Sequence, residues 1–308
     1  MIFILGPTAI GKTEIALPLA QRINAEIVSL DSRQLYRQMN IGTAKPTLAQ
    51  RETIPHHVID CVDIDQQFTV ADYQRRFDKS LAEIRERHRR ALVVGGAGLY
   101  FRAVVDGLFP GPSADFAIRE RLRQEADGHG ALALHERLHQ CDPESAARIH
   151  PNNTVRVIRA LEVFELTGKP ISALQVQWKH PAPRYEFRSF GLDMPREQLY
   201  DRIETRADRM MAIGLIEEVK GIIDAGYPSD CVALSSFGYK EIIDYLNGQL
   251  TLFEAVALLK QNTRRFAKRQ LTWFRSDTRI EWRDLSLFSS IEDIVDDLVE
   301  TSNGKTLR

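Results

Sequence analysis

The chain is poor in the features that mark secreted, membrane-spanning or disordered proteins. Only three cysteines occur in 308 residues, Cys61, Cys141 and Cys231, separated by 80 and 90 positions. That spacing is neither a disulfide framework nor a metal knuckle, and it suits a reducing compartment, so a cytoplasmic location is expected. No apolar run approaches the roughly 18 residues of a membrane span, and no membrane partner is expected. The opening Met1-Ile2-Phe3-Ile4-Leu5 carries no basic segment and meets Gly6 at once, unlike a signal peptide. Repeats and low-complexity tracts are missing too. With 44% hydrophobic and 27% charged residues, the composition is that of an ordinary soluble globular protein.

An excess of one charge is also lacking, since the net charge is −1. The sum conceals segregation. Between Lys260 and Arg283 stand eight basic residues against Asp277 and Glu281, and between Asp284 and Glu300 six acidic residues and no basic one. The pattern reads most simply as a solvated helix followed by an acidic tail. It also leaves room for a basic face that meets phosphates.

What is present is an alternation of strand and helix. Ile2–Leu5 predicts a strand, and Ile15, Leu19 and Ile23 have helical spacing over 12–23. A second strand is predicted over 26–30, followed at once by Asp31. Thr69 and Asp72 stand as N-cap and N3 partner of a helix over 69–90, and Ala91–Val94 is a buried strand running into Gly95-Gly96. Short apolar strands separated by helices imply parallel pairing in an α/β sandwich. Beyond Pro110-Gly111-Pro112 the pattern from Asp115 to about Trp178 is helical only, with the clearest helix over 155–166. Strand-like Tyr185–Leu192 follows, then a helix opened by Pro195. Thr251 with Glu254 forms a capping box for a helix reaching about Arg275, and Arg279–Trp282 reads as a last strand. The expected organisation is a core over 1–114, a helical insertion over 115–180, and a return to the core over 181–308.

The strongest motif is Gly6-Pro7-Thr8-Ala9-Ile10-Gly11-Lys12-Thr13, which fits G-x-x-x-x-G-K-[ST] between a strand and a helix. Glycines let backbone N–H groups curl around phosphate oxygens, and the helix N-terminus adds partial positive charge. Lys12 is expected at outer phosphate oxygens and Thr13 at Mg²⁺. A nucleotide-hydrolysing relative of this motif carries a strand-end Asp, yet the strand over 91–94 ends in Gly95-Gly96-Ala97-Gly98. The strand-end carboxylate is instead Asp31, in Asp31-Ser32-Arg33-Gln34, either a metal carboxylate or a general base.

These residues lead to a family. The loop, Asp31 to Arg37, and Asn40-Ile41-Gly42-Thr43-Ala44-Lys45-Pro46 resemble the tRNA dimethylallyltransferases, or tRNA isopentenyltransferases. Pro55-His56-His57, Val94 to Tyr100, Gly238-Tyr239-Lys240-Glu241 and Ala267 to Phe274 extend the likeness, which runs from Gly6 to about Arg275. The chain departs from the family pattern at Ile10, Ala97 and Val155. The resemblance implies a P-loop NTPase-like parallel sheet with an all-helical insertion that clasps tRNA. The implied reaction is transfer of a dimethylallyl group from its diphosphate to N6 of adenosine 37 beside the anticodon, with Mg²⁺. A monomer is expected, although the sequence itself leaves the oligomeric state open.

Roles follow residue by residue. Asp31 is the implied proton acceptor, Thr13 the Mg²⁺ ligand, Arg206 a diphosphate-binding arginine, and Thr8 and Ser32 orient substrates. Implied tRNA contacts are Asp31, Ser32, Arg33, Gln34, Ala97, Arg119 and the run Val155-Arg156-Val157-Ile158-Arg159. Of the other arginines on the Pro195 helix, Arg202 and Arg209 read as solvated partners of Asp201, Glu204 and Asp208. Trp273 fits an RNA platform or the core equally. His135 and His139 have i, i+4 spacing without a third metal ligand and read as a solvated face. The rival readings are a prenyltransferase of free AMP, ADP or ATP, which would not need the insertion, a P-loop kinase, and a non-catalytic tRNA binder.

Overall fold

The computed structural model describes residues 1–109, 111–175 and 182–303. The chain divides into two compact units, 1–104 with 185–308 and 105–184. The insertion was expected over 115–180. It spans ten more residues at its start and four more at its end, and 176–180 lie outside the described residues.

The first unit opens with β1 (Ile2–Leu5), α1 (Lys12–Arg22), β2 (Ala25–Leu30), α2 (Leu48–Thr53), β3 (His56–His57), α3 (Val70–Glu86), β4 (Arg90–Gly95) and α4 (Gly98–Asp106), at whose end the second unit starts. That unit holds α5 (Phe116–His129), α6 (Ala131–Cys141), α7 (Pro143–Arg148), α8 (Thr154–Thr167) and α9 (Ile171–Leu174). The first unit resumes with β5 (Arg188–Asp193), α10 (Arg196–Ala212), α11 (Leu215–Asp224), α12 (Tyr239–Leu246), α13 (Leu252–Arg275), β6 (Ile280–Asp284) and α14 (Ile291–Ser302). Both expected capping boxes, Thr69 with Asp72 and Thr251 with Glu254, start α3 and α13.

The six strands are all parallel, in the order β3-β2-β4-β1-β5-β6. Because β4 lies between β1 and β2, the carboxyl ends of these three strands meet at one place, where open α/β sheets bind ligands. Alternate residues of β1 point to opposite faces. Ile2 and Ile4 join a cluster with Leu19 of α1, Leu199 of α10 and Leu298 of α14. Phe3 meets Phe101 and Phe187 edge-on at 5.0 and 5.5 Å. Burying each such side chain contributes about 1.5–3 kcal/mol.

The acidic stretch is not a loose tail. Its Ile294, Val295 and Leu298 form the buried stripe of α14, and Asp296 and Asp297 pair with Arg22 and Arg283 at 2.6 and 2.5 Å. Counting charges hid a 3.6-residue apolar period. The two-residue β3 is too short for any periodicity to reveal. No described helix is long and apolar enough to cross a membrane.

Candidate active site

Three strand ends build the site. After β1, Gly6 to Thr13 turns into α1 with Ala9 at φ 66° and Gly11 at φ 103°, values that favour glycine and strain Ala9. A side chain at Gly11 would also meet Arg202 Nη2 at 3.2 Å. The Ile10 side chain is buried in the core, so this position offers the loop only backbone. Lys12 Nζ folds back and donates to the carbonyls of Gly6 and Pro7 at 3.0 and 2.6 Å. After β4, the N–H groups of Gly96 and Ala97 donate to Leu30 O at 3.1 Å, which ties this turn to β2.

Gln270 of α13 joins the first two strand ends. Its Oε1 accepts the Thr8 N–H and its Nε2 donates to Gly96 O, both at 2.9 Å. Gln270 is buried, and a side chain at Gly96 would lie 2.2 Å from its amide nitrogen. Sequence reasoning left Gln270 without a role, although it lies inside a matched motif. Its partners are 174 and 262 positions away.

After β2, Asp31 Oδ1 accepts the N–H groups of Arg33 and Gln34 at 2.8 and 3.3 Å. The Gln34 amide is held at both ends. Its Oε1 accepts Ser29 Oγ–H at 3.0 Å, and its Nε2 donates to the carbonyls of Thr43 and Ala44 at 3.3 Å. Arg33 reaches Val232 O at 2.7 Å. Ser32 and Ala97 are half-buried beside these turns.

Electrostatics separates Arg206 from its neighbours on α10. Arg202 pairs with Glu14 at 2.9 Å, while Glu204 and Asp208 pair with Arg264 and Lys260 of α13 at 2.6 and 2.7 Å. Glu204 and Asp208 thus neutralise α13 rather than Arg202 and Arg209, the partners expected for them, because α13 packs alongside α10. No hydrogen bond or ion pair engages Arg206 among the described residues. Burial lowers the Arg206 pKa and the charge of Asp31 opposes that shift. Burial, then the charge of Arg206, pushes Lys12 down to about 7, with Asp31 acting against them. Two cations and one carboxylate thus lie within electrostatic reach without closing into an ion pair. An anion rich in oxygens would relieve the repulsion between Lys12 and Arg206.

The IPP transferase family profile matches residues 34–277. A tRNA dimethylallyltransferase of Geobacter metallireducens is 49% identical over 282 residues, 92% of this chain and 91% of that protein. The chain belongs to the tRNA dimethylallyltransferase family. Membership makes it a prenyl-transferring enzyme. The crystal structure of the full-length tRNA isopentenylpyrophosphate transferase of Bacillus halodurans is similar at 42% identity and a TM-score of 0.71, covering 99% of this chain and 97% of that one. A eukaryotic dimethylallyltransferase caught in crystallographic snapshots acting on tRNA is 25% identical with a TM-score of 0.79, covering 98% of this chain and 78% of that one.

The insertion of this family member has its own polar centre. Glu162, wholly buried, accepts from Arg119 at 2.9 and 3.0 Å, from Arg159 at 2.6 Å and from the Asp115 N–H at 2.7 Å. Arg159 also donates to Pro112 O at 2.9 Å. These contacts hold the Glu162 carboxylate below its usual pKa against the opposing effect of burial. Val157 and Ile158, implied as RNA contacts, instead sit in the apolar core with Leu122, Leu138 and Leu161. Consecutive helical residues point in directions about 100° apart, so a five-residue run cannot all face one partner. Val155, 80% exposed, and Arg156 face outward. His139 is exposed as expected, whereas His135 is half-buried: its Nε2 lies 3.1 and 2.8 Å from the carbonyls of Ala146 and Ile149, where it caps the end of α7.

Of the six cations on α13, Lys260, Arg264 and Arg275 are paired with carboxylates, whereas Arg265, Lys268 and Arg269 have no carboxylate partner among the described residues. Trp273 is half-buried, edge-on to Phe101 and Phe274, with Arg102 5.3 Å above its ring. That favours the core reading.

Proposed function

We propose that this chain transfers a dimethylallyl group from dimethylallyl diphosphate to N6 of adenosine 37 in tRNA and releases pyrophosphate. The observation that carries the reading is the unclosed cluster of Lys12 after β1, Asp31 after β2 and Arg206 of α10, at the carboxyl ends of the two strands that flank β4. The loop amides, Lys12 and Arg206 bind the diphosphate and stabilise charge as the bond from the allylic carbon to oxygen breaks. N6 forms the new bond to that carbon and gives its proton to Asp31. Oδ1 of Asp31 is held by two backbone N–H groups, which leaves Oδ2 as the acceptor. β4 ends at Gly95 and runs into Gly96 without a carboxylate, which fits a reaction in which no water is aimed at a phosphate.

The donor set suits Mg²⁺. The Thr13 hydroxyl is a hard oxygen ligand at the first turn of α1, with no hydrogen bond among the described residues, and substrate phosphate oxygens complete such a shell. When bound, the ion neutralises diphosphate charge.

Adenosine 37 must leave the stack of the anticodon loop to reach an acceptor. Ser32, Arg33, Gln34 and Ala97 line the turns beside Asp31 and are assigned to the extruded nucleotide, while Val155 and Arg156 are assigned to the RNA on the insertion. The enzyme works as a monomer in the cytoplasm, where its tRNA substrate lies. Incubation with labelled dimethylallyl diphosphate and, separately, tRNA or AMP tests the reading. Label should enter tRNA only. Labelled AMP with unlabelled tRNA would overturn it in favour of a free-nucleotide prenyltransferase.

A further inference from the structure

Glu218, in the first turn of α11, takes part in none of the chemistry above, yet its carboxylate is heavily used. It accepts the backbone N–H groups of Asn40 at 3.0 Å, Ile41 at 2.8 and 3.0 Å and Gly42 at 3.3 Å. Tyr239 OH donates to it as well, at 2.6 Å. Four donors on one carboxylate lie 21 positions away at the nearest and 178 at the farthest. The Tyr239 ring also occupies the space above Gly42, where a Cβ would come within 2.4 Å of it. Burial and then the neighbouring Glu218 raise the Tyr239 pKa, so its hydroxyl remains a donor at neutral pH.

What Glu218 grips is the start of 40–46, and the next two carbonyls of that segment, Thr43 and Ala44, hold the Gln34 side chain. The Gln34 backbone N–H in turn holds Asp31 Oδ1. A continuous path of hydrogen bonds and short backbone links therefore runs from Glu218 through 40–44 and Gln34 to the proton acceptor. No part of it touches Lys12, Arg206 or the loop at Gly6 to Thr13. We infer that Glu218 is a positioning residue that orients the Asp31 carboxylate for proton acceptance, with Tyr239 holding Glu218 in register. The inference rests on the assignment of Asp31 as the acceptor made above.

A carboxylate is needed because every group facing it is a donor. In Glu218→Gln the new NH₂ would oppose a backbone N–H, while size and shape are kept. Turnover should fall about 10–100-fold, as a geometric error at a remote support does when it reaches the reacting centre. The KM for dimethylallyl diphosphate and inhibition by pyrophosphate should stay within about twofold of the parent. Tyr239→Phe keeps the ring over Gly42 and removes one donor, so its loss should be smaller, about 3–10-fold.

The deciding experiment is a double-variant cycle on turnover with tRNA, with Asp31→Asn as the second site. If Glu218 acts through Asp31, Glu218→Gln should cost nearly nothing further in the Asp31→Asn enzyme. An equal fold-loss in both backgrounds, or a parallel loss of pyrophosphate inhibition, would overturn the inference and make Glu218 a general prop of the fold. The cycle is repeated with Tyr239→Phe, which keeps the test decisive should Glu218→Gln unfold. Failure of the underlying assignment looks different: Asp31→Asn alone would then retain full turnover.

Discussion

Two carboxylates with arginine neighbours sit in the two units, and they are built in opposite ways. Glu162 in the insertion is closed: two guanidinium groups and a backbone N–H satisfy it, with Arg119 and Arg159 34% and 29% exposed. Asp31 in the core is open: two backbone N–H groups hold one oxygen, and Lys12 and Arg206 stand nearby without forming an ion pair with it. A closed cluster stores its electrostatic energy in the fold. An open one keeps its cations free for an anion and its carboxylate free for a proton. The same residue types therefore stabilise one unit and give the other its chemistry.

Exchanging each carboxylate for its amide breaks the comparison most sharply. Asp31→Asn should lower turnover by about 10²–10⁴-fold, the range for a lost general base, with little change in unfolding midpoint or in tRNA affinity. Turnover within threefold of the parent would move the proton elsewhere. On the cation side, Lys12→Ala and Arg206→Ala should each weaken pyrophosphate inhibition by about 10²–10³-fold, as expected for groups aimed at developing negative charge. Tight inhibition surviving in both would separate these residues from the leaving group.

The closed cluster should respond in stability instead. Glu162→Gln should cost about 2 kcal/mol by denaturant unfolding, less than the roughly 3–5 kcal/mol of a fully buried pair because both arginines reach solvent. Within the insertion, Arg156→Ala should weaken tRNA binding and flatten its salt dependence by about 0.7–0.9 log units per log unit of salt, leaving stability unchanged. Arg159→Ala should mainly destabilise. An unchanged salt slope in Arg156→Ala would remove Arg156 from the RNA surface.

The smallest effect is a proton. Lys12 titrates near 7 in the folded chain and at 10.5 when unperturbed, so the folded state binds fewer protons between these values. Below pH 7 both states are protonated and the full cost of the buried charge is present. That cost is relieved as pH rises from about 7 to 10.5, and the ligand-free chain gains stability over that window. A bound diphosphate restores the charge, so binding at pH 8 should take up a proton at Lys12. Calorimetry in buffers of different ionisation enthalpy measures it, and Lys12→Arg should lose that uptake.

Much of this was legible along the chain because the signals are local. The loop at Gly6 to Thr13, the strand-end Asp31 and the helix caps at Thr69 and Thr251 each depend on a few consecutive residues, whose spacing dictates which groups meet. Family likeness added Arg206, which spacing alone does not distinguish from Arg202 and Arg209. Tertiary structure alone decided which charges are free. Glu14 claims Arg202, Glu162 claims Arg119 and Arg159, and Arg206 stays available, through partners 43 to 188 positions apart in two of these pairs. It alone also revealed Gln270 and Glu218, because a hydrogen bond is set by distance in space and leaves no period in the sequence. The order of the motifs determined what the protein does, and long-range pairing decided which side chains are left to do it.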